Sequence, residues 1–185
     1  YLVVDDIESY NDLDETDPAS NRIYKSWIDG YGTTTNGALV GNLDVPLTER
    51  SNVHGGSQAM PLSYDNNLKF SEATRTLASG NDWTRLGVME LSLWFRGAGT
   101  NAGERMYVAL NGSAVVYHDD PNAVQIAGWT QWTIPLKQFA DQGVNLTNVT
   151  SITIGFGTRG NTTIAGGKGQ MYFDDIRLYR PRTAP

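Results

Sequence analysis

Apolar and polar residues alternate with a period of two along most of this 185-residue chain. Met60, Leu62 and Tyr64 interleave with Ala59, Pro61 and Ser63; Leu91, Leu93 and Phe95 with Ser92, Trp94 and Arg96. Met106, Val108 and Leu110 interleave with Tyr107 and Ala109; Ile152 and Ile154 flank Thr153; Ile176 and Leu178 interleave with Asp175, Arg177 and Tyr179. Successive side chains of a strand point to opposite faces, so this pattern marks strands with one face in a core and one outside it.

Turn-forming pairs separate the runs: Asp29-Gly30, Asn36-Gly37, His54-Gly55-Gly56, Asp65-Asn66-Asn67, Gly80-Asn81-Asp82, Gly97-Ala98-Gly99 and Asn111-Gly112. The spacing predicts roughly ten short antiparallel strands. No stretch keeps a 3.6-residue period; one helical turn is expected at 136–140, opened by Pro135. No repeat has solenoid or propeller length. The expected fold is therefore all-β, a two-sheet antiparallel β-sandwich of the jelly-roll kind, with a single domain over 1–180 and the start of a linker at 181–185.

Composition narrows the function. Twenty Asp and Glu against 14 Lys and Arg leave a net charge of −6. A nucleic-acid or anionic-membrane partner needs a basic field, so neither is expected. Without cysteine, disulfides, thiol catalysis and cysteine-type zinc sites are excluded. No apolar run approaches the length of a membrane span.

Asp5-Asp6-Ile7 near the start is echoed by Asp174-Asp175-Ile176 near the end. If first and last strands pair, these acids meet. Clustered half-buried carboxylates repel unless a cation neutralises them, and a hard oxygen-seeking ion such as calcium suits them. The expected ligands are Asp6, Glu8, His54 and Asp174, with backbone carbonyls from 51–56. The alternative is a set of surface acids paired with Arg177 or Lys25.

The outward strand positions carry Trp94, Arg96 and Tyr107, where most sandwiches are bland and polar. Flat aromatic faces with polar neighbours suit sugar rings and their hydroxyls. Trp27 and Tyr31, from the segment 24–31, and Arg159, in a glycine-rich loop, complete the expected ligand-binding set. Trp83, Trp129 and Trp132 read as structural. Catalytic patterns are lacking: no Gly-x-Ser-x-Gly occurs, the two histidines are far apart in sequence, and no strand carries alternating acids such as a glycosidase pair would need.

Six ordered pieces complete the picture: Val4–Tyr10, Ala59–Tyr64, Asn81-Asp82-Trp83 leading into Leu91–Phe95, Trp129–Leu136, Asn148–Ile152 and Met171–Leu178. In these the chain resembles jelly-roll carbohydrate-binding modules, most closely the family-eleven glucan-binding type. The resemblance implies a calcium-stabilised sandwich that binds a glycan chain in an open cleft on one sheet and catalyses nothing. Trp94 and Tyr107 stand where that family carries polar cleft residues, so glucan specificity does not carry over; a marine or plant polysaccharide is equally open. The resemblance also implies a monomeric module of a multidomain, secreted or cell-surface bacterial protein. Two other readings remain: a small jelly-roll polysaccharide lyase or hydrolase, and an adhesive or spacer domain.

Overall fold

A computed structural model describes residues 1–78 and 81–181. Eleven strands follow in order: β1 (Leu2–Asp5), β2 (Trp27–Ile28), β3 (Leu39–Val40), β4 (Met60–Asp65), β5 (Ser71–Thr76), β6 (Glu90–Arg96), β7 (Met106–Leu110), β8 (Ala114–Tyr117), β9 (Thr130–Pro135), β10 (Ser151–Phe156) and β11 (Lys168–Tyr179). Among the described residues, α-helix is confined to single turns at α1 (Ile23–Ser26) and α2 (Lys137–Ala140), the second where Pro135 points to one, with 3-10 turns at Arg85–Gly87 and Ala123–Gln125. Gly80 and the expected linker positions 182–185 lie outside the described residues.

The strands form two antiparallel sheets. One runs β3-β4-β11-β6-β9, with β1 also pairing β11; the other runs β2-β5-β10-β7-β8. First and last strands do pair, Leu2 opposite Leu178 and Val3 opposite Arg177. The two sheets meet through their alternating apolar positions. Leu62, Leu93, Phe95, Met171 and Phe173 of the first sheet and Val108, Leu110, Ile152, Ile154 and Phe156 of the second belong to one buried cluster. Truncating one such side chain, as in Leu93→Ala, costs about 2–5 kcal/mol through lost burial and the cavity left behind.

Local chemistry sets the connections. Asn111 (φ 54) and Gly112 (φ 66) take left-handed conformations in the three-residue connection between β7 and β8, where the Ser113 amide closes the turn on the Leu110 carbonyl. In β11 the register shifts between Asp174 and Arg177, and Asp175 has φ 49. This bulge reverses the parity of the strand. Met171 and Phe173 point into the core before it, Ile176 and Leu178 after it. Asp174 therefore does not share the inward side of Ile176, as unbroken alternation implies. It stands on the outer side, opposite Trp94.

Candidate functional site

The outer face of the first sheet is built by β11 and its two neighbours. Before the bulge, Lys168, Gln170, Tyr172 and Asp174 point outward in turn, two residues apart. Tyr172 lies opposite Arg96 of β6 and Pro61 of β4; Gln170 lies opposite Ser63. Over β3, β4 and the start of β11 an open groove of about 630 Å³ is lined by Tyr31, Leu39, Ser63, Lys69, Lys168 and Gln170. Tyr31 is 85% exposed on its rim. Tyr172 and Arg96 stand beyond the groove's lining, Tyr172 two residues past Gln170 on β11. There the guanidinium carbon stands 4.5 Å from the centre of the Tyr172 ring and 5.8 Å from that of Trp129. Of the expected ligand-binding residues, Tyr31, Trp94 and Arg96 thus share this side of the molecule.

The far half of the face is covered. The loop 51–58 crosses it and is fastened at several points. Asn52 Oδ1 accepts from Trp129 Nε1 at 3.0 Å. The His54 ring stacks on Trp94 with centroids 3.7 Å apart, and His54 Nδ1 is 2.7 Å from Asp175 Oδ2. One face of Trp94 is thus taken by His54 rather than presented to solvent.

The acids divide into three arrangements. Asp5 is buried, and its carboxylate accepts from the Tyr10 hydroxyl (2.6 Å), Trp27 Nε1 (2.9 Å), the Ile7 amide (3.0 Å) and the Arg75 guanidinium. Burial in this cluster pushes the Tyr10 phenol up to about 12. Glu8 accepts from the Ser57 hydroxyl and from the amides of Ser57 and Gln58. Burial raises its pKa, but these three bonds outweigh that and hold the carboxyl below its ordinary value. Asp174 Oδ2 accepts from the amides of His54 (3.0 Å) and Gly55 (3.1 Å). Burial pushes the Asp174 carboxyl up to about 6; the Gly55 amide opposes this and the Asp175 charge adds to it.

This geometry does not fit the calcium ligand set Asp6, Glu8, His54 and Asp174. Calcium needs converging oxygen lone pairs. The segment 51–56, expected to supply carbonyls, instead turns the His54 and Gly55 N–H groups toward Asp174, and the following Ser57 and Gln58 amides turn toward Glu8. Asp6 Oδ1 accepts locally from the Glu8 amide. Among the described residues, no three His, Asp or Glu side chains form a metal-binding group.

Three expected ligand-binding residues lie elsewhere. Trp27 is fully buried, its indole N–H spent on Asp5. Tyr107 does point outward, but from the other sheet, and it is covered. Its hydroxyl donates to Glu72 Oε2 at 2.8 Å, and its ring lies over Gly155, where a Cβ would clash with it. Burial and the Glu72 carboxylate raise its pKa. Arg159 closes the same cluster, with Nε 3.1 Å from Glu72 Oε2 and Nη1 donating to the Gly112 carbonyl at 2.7 Å. The expectation of one cleft shared by Trp94 and Tyr107 is therefore corrected: the two stand on opposite sheets.

Two site residues escape the sequence reading. Tyr172 alternates with the core residues Met171 and Phe173, a signal present in the sequence. Trp129, read there as structural, is half-buried beside Arg96. Trp83 and Trp132 are buried as expected.

No protein-family model matches the sequence, and no curated protein matches it. Solved structures share its fold. The family 11 carbohydrate-binding module of the cellulosomal cellulase Lic26A-Cel5E of Clostridium thermocellum is 16% identical, with a TM-score of 0.51 over 84% of this chain and 94% of that one. A family 11 module from the same organism, in complex with a β-1,3-1,4-mixed-linked tetrasaccharide, is 17% identical, with a TM-score of 0.50 over 84% and 95%. The agarase AgWH50C is 9% identical, with a TM-score of 0.59 over 98% of this chain but 26% of that one. At these identities the likeness is one of fold, the jelly-roll β-sandwich that alternation predicts.

Proposed function

We propose that this protein is a non-catalytic carbohydrate-binding module that holds a polysaccharide chain along the outer face of its first sheet. The chain would lie in the groove beside Tyr31 and Leu39, cross Gln170, and reach Tyr172 and Arg96. The observation that carries this reading is the groove itself. It is open at the surface, floored by sheet, and places an 85% exposed tyrosine beside hydroxyl, amide and ammonium side chains. Aromatic faces take the C–H side of a sugar ring while polar groups take its hydroxyls. The fold shared with modules solved as carbohydrate binders, one of them holding a tetrasaccharide, supports the same reading.

A glycosidase would need two carboxyl groups facing each other across the groove. Asp65 is the single acid among the lining residues. We place the module in a secreted or cell-surface bacterial protein, as a monomeric unit beside other domains.

Affinity electrophoresis against a panel of neutral and charged polysaccharides tests the proposal. Retention by at least one glycan is expected, with Tyr31→Ala and Tyr172→Ala weakening it while melting stays that of a folded domain. Retention by none of the panel overturns the reading. Release of reducing ends or unsaturated products would move it to the enzymes.

A further inference from the structure

We propose, building on that reading, that the groove selects an acidic polysaccharide, one bearing carboxylate or sulfate groups, through Arg96, Lys168 and Lys69.

The chain as a whole is acidic, and among the described residues six of its cations are already engaged in ion pairs. Lys25, Arg50, Arg75, Lys137, Arg159 and Arg177 each stand in an ion pair with Asp or Glu. Among the described residues, Arg22, Lys69, Arg85, Arg96, Arg105, Lys168 and Arg180 are in none, and of these Arg96, Lys168 and Lys69 border one strip of the first sheet. Lys168 and Lys69 line the groove. Arg96 stands beyond the groove lining on the same face, opposite Tyr172, which is two residues past the lining residue Gln170. Lys168 is four residues before Tyr172 on the same side of β11, so the two ends of the strip are roughly 13 Å apart. That suits a short oligosaccharide carrying more than one charge.

Arg96 gives the second observation. Among the described residues its guanidinium has no hydrogen-bond partner, and its Nε is buried. Such a donor is costly to leave unmet. The rings of Tyr172 and Trp129 hold the group in place without using its N–H donors. A planar fork fixed in this way matches a carboxylate or sulfate through paired hydrogen bonds.

The acids that face this strip are spent locally. Asp65, opposite Lys168, turns Oδ1 to the Asn67 amide at 3.1 Å. Glu49, which feels the charge of Arg96, is taken by the Ser51 and Asn52 amides. Asp174 accepts from the loop above it. These hydrogen bonds leave the carboxylates charged, so the acids reduce the field of the three cations, but none forms an ion pair with them among the described residues.

The test uses calorimetric titration and affinity electrophoresis with three probes: polygalacturonate for carboxylate, a sulfated galactan for sulfate, and mixed-linkage β-glucan as the neutral arm. Binding to at least one acidic probe is expected, weakening with added salt as exposed charges are screened. Arg96→Gln and Lys168→Gln should each weaken it about tenfold. Lys25→Gln, on a distant paired lysine, should leave it unchanged, and melting curves should show all three variants folded. The arm that binds more tightly names the acid group. Binding to β-glucan with neither acidic probe held overturns this inference and leaves the module reading standing. Acidic binding that is indifferent to Arg96→Gln and Lys168→Gln also overturns it. Retention of none of the three, nor of any other glycan, overturns both.

Discussion

The His54 imidazole lies flat on the Trp94 indole, ring centroids 3.7 Å apart and planes 16° from parallel. The contact fixes the loop 51–58 to the sheet and divides the outer face into a closed half and an open half. His54→Ala removes the stack and the contact with Asp175. It should cost about 1–2 kcal/mol in urea unfolding. The intrinsic tryptophan emission should shift as Trp94 meets water. Unchanged emission would show that the loop does not rest there.

Asp5 ties the N-terminal strand to the second sheet through Tyr10, Trp27 and Arg75. Its removal strands a half-buried guanidinium and two phenol and indole donors. Asp5→Ala should destabilise the fold by about 3–5 kcal/mol. The double variant Asp5→Ala/Arg75→Met should recover part of that loss, because it no longer leaves a charge without its partner. A loss in the double variant equal to the sum of the Asp5→Ala and Arg75→Met losses would show that Asp5 and Arg75 act independently.

Tyr107→Phe separates the two sheets functionally. It removes one buried hydrogen bond to Glu72 and should cost about 1 kcal/mol. Glycan retention should not change, because Tyr107 is on the opposite side of the sandwich from the groove. A Tyr107→Phe protein that melts normally but no longer binds would place the site on the wrong sheet here.

His118 packs edge-on against Phe95, tilts against Trp132, and accepts the Asp120 amide at Nδ1 (3.0 Å). Burial lowers its pKa from 6.5, against the pull of Asp120 and Asp119. A depressed imidazole binds its proton more readily in the unfolded chain. Its contribution is therefore complete above 6.5 and is lost as pH falls through that value toward the folded one. Melting followed from pH 7.5 to pH 5 should show wild type losing more stability than His118→Phe. Parallel curves would remove His118 as the cause.

Excess chelator should leave the melting temperature where it stands in millimolar calcium, since the carboxylates of Glu8 and Asp174 are held by N–H groups. A rise on adding calcium would mean that the loop 51–58 turns over to present carbonyls.

The sandwich was legible because alternation is a local signal repeated along the chain. Leu91, Leu93 and Phe95 need no partner to declare their face. What alternation does not say is which sheet a strand joins, so Trp94 and Tyr107 look alike in sequence and end on opposite sides. Nor does it show a polar atom met from far away, as Asp5 meets Trp27 across 22 residues. Asp174 was misplaced by the bulge, where one irregular residue reverses every position after it. The ordered acidic echo was real and did bring the two ends together; in this structure the acids meet backbone amides, Arg75 and Arg177. Tyr172 was readable and passed over, while the groove beside Tyr31 depends on loops whose course no period records.

β11 also sets a scale. Its outward side chains before the bulge recur about every 6.8 Å, on a strand hydrogen-bonded along both edges. Such a strand does not stretch to meet a guest. A flexible glycan crossing it must bring its own substituents into step with Lys168, Gln170 and Tyr172. The protein then acts as a fixed ruler, and discrimination among chains falls to the spacing of their repeats.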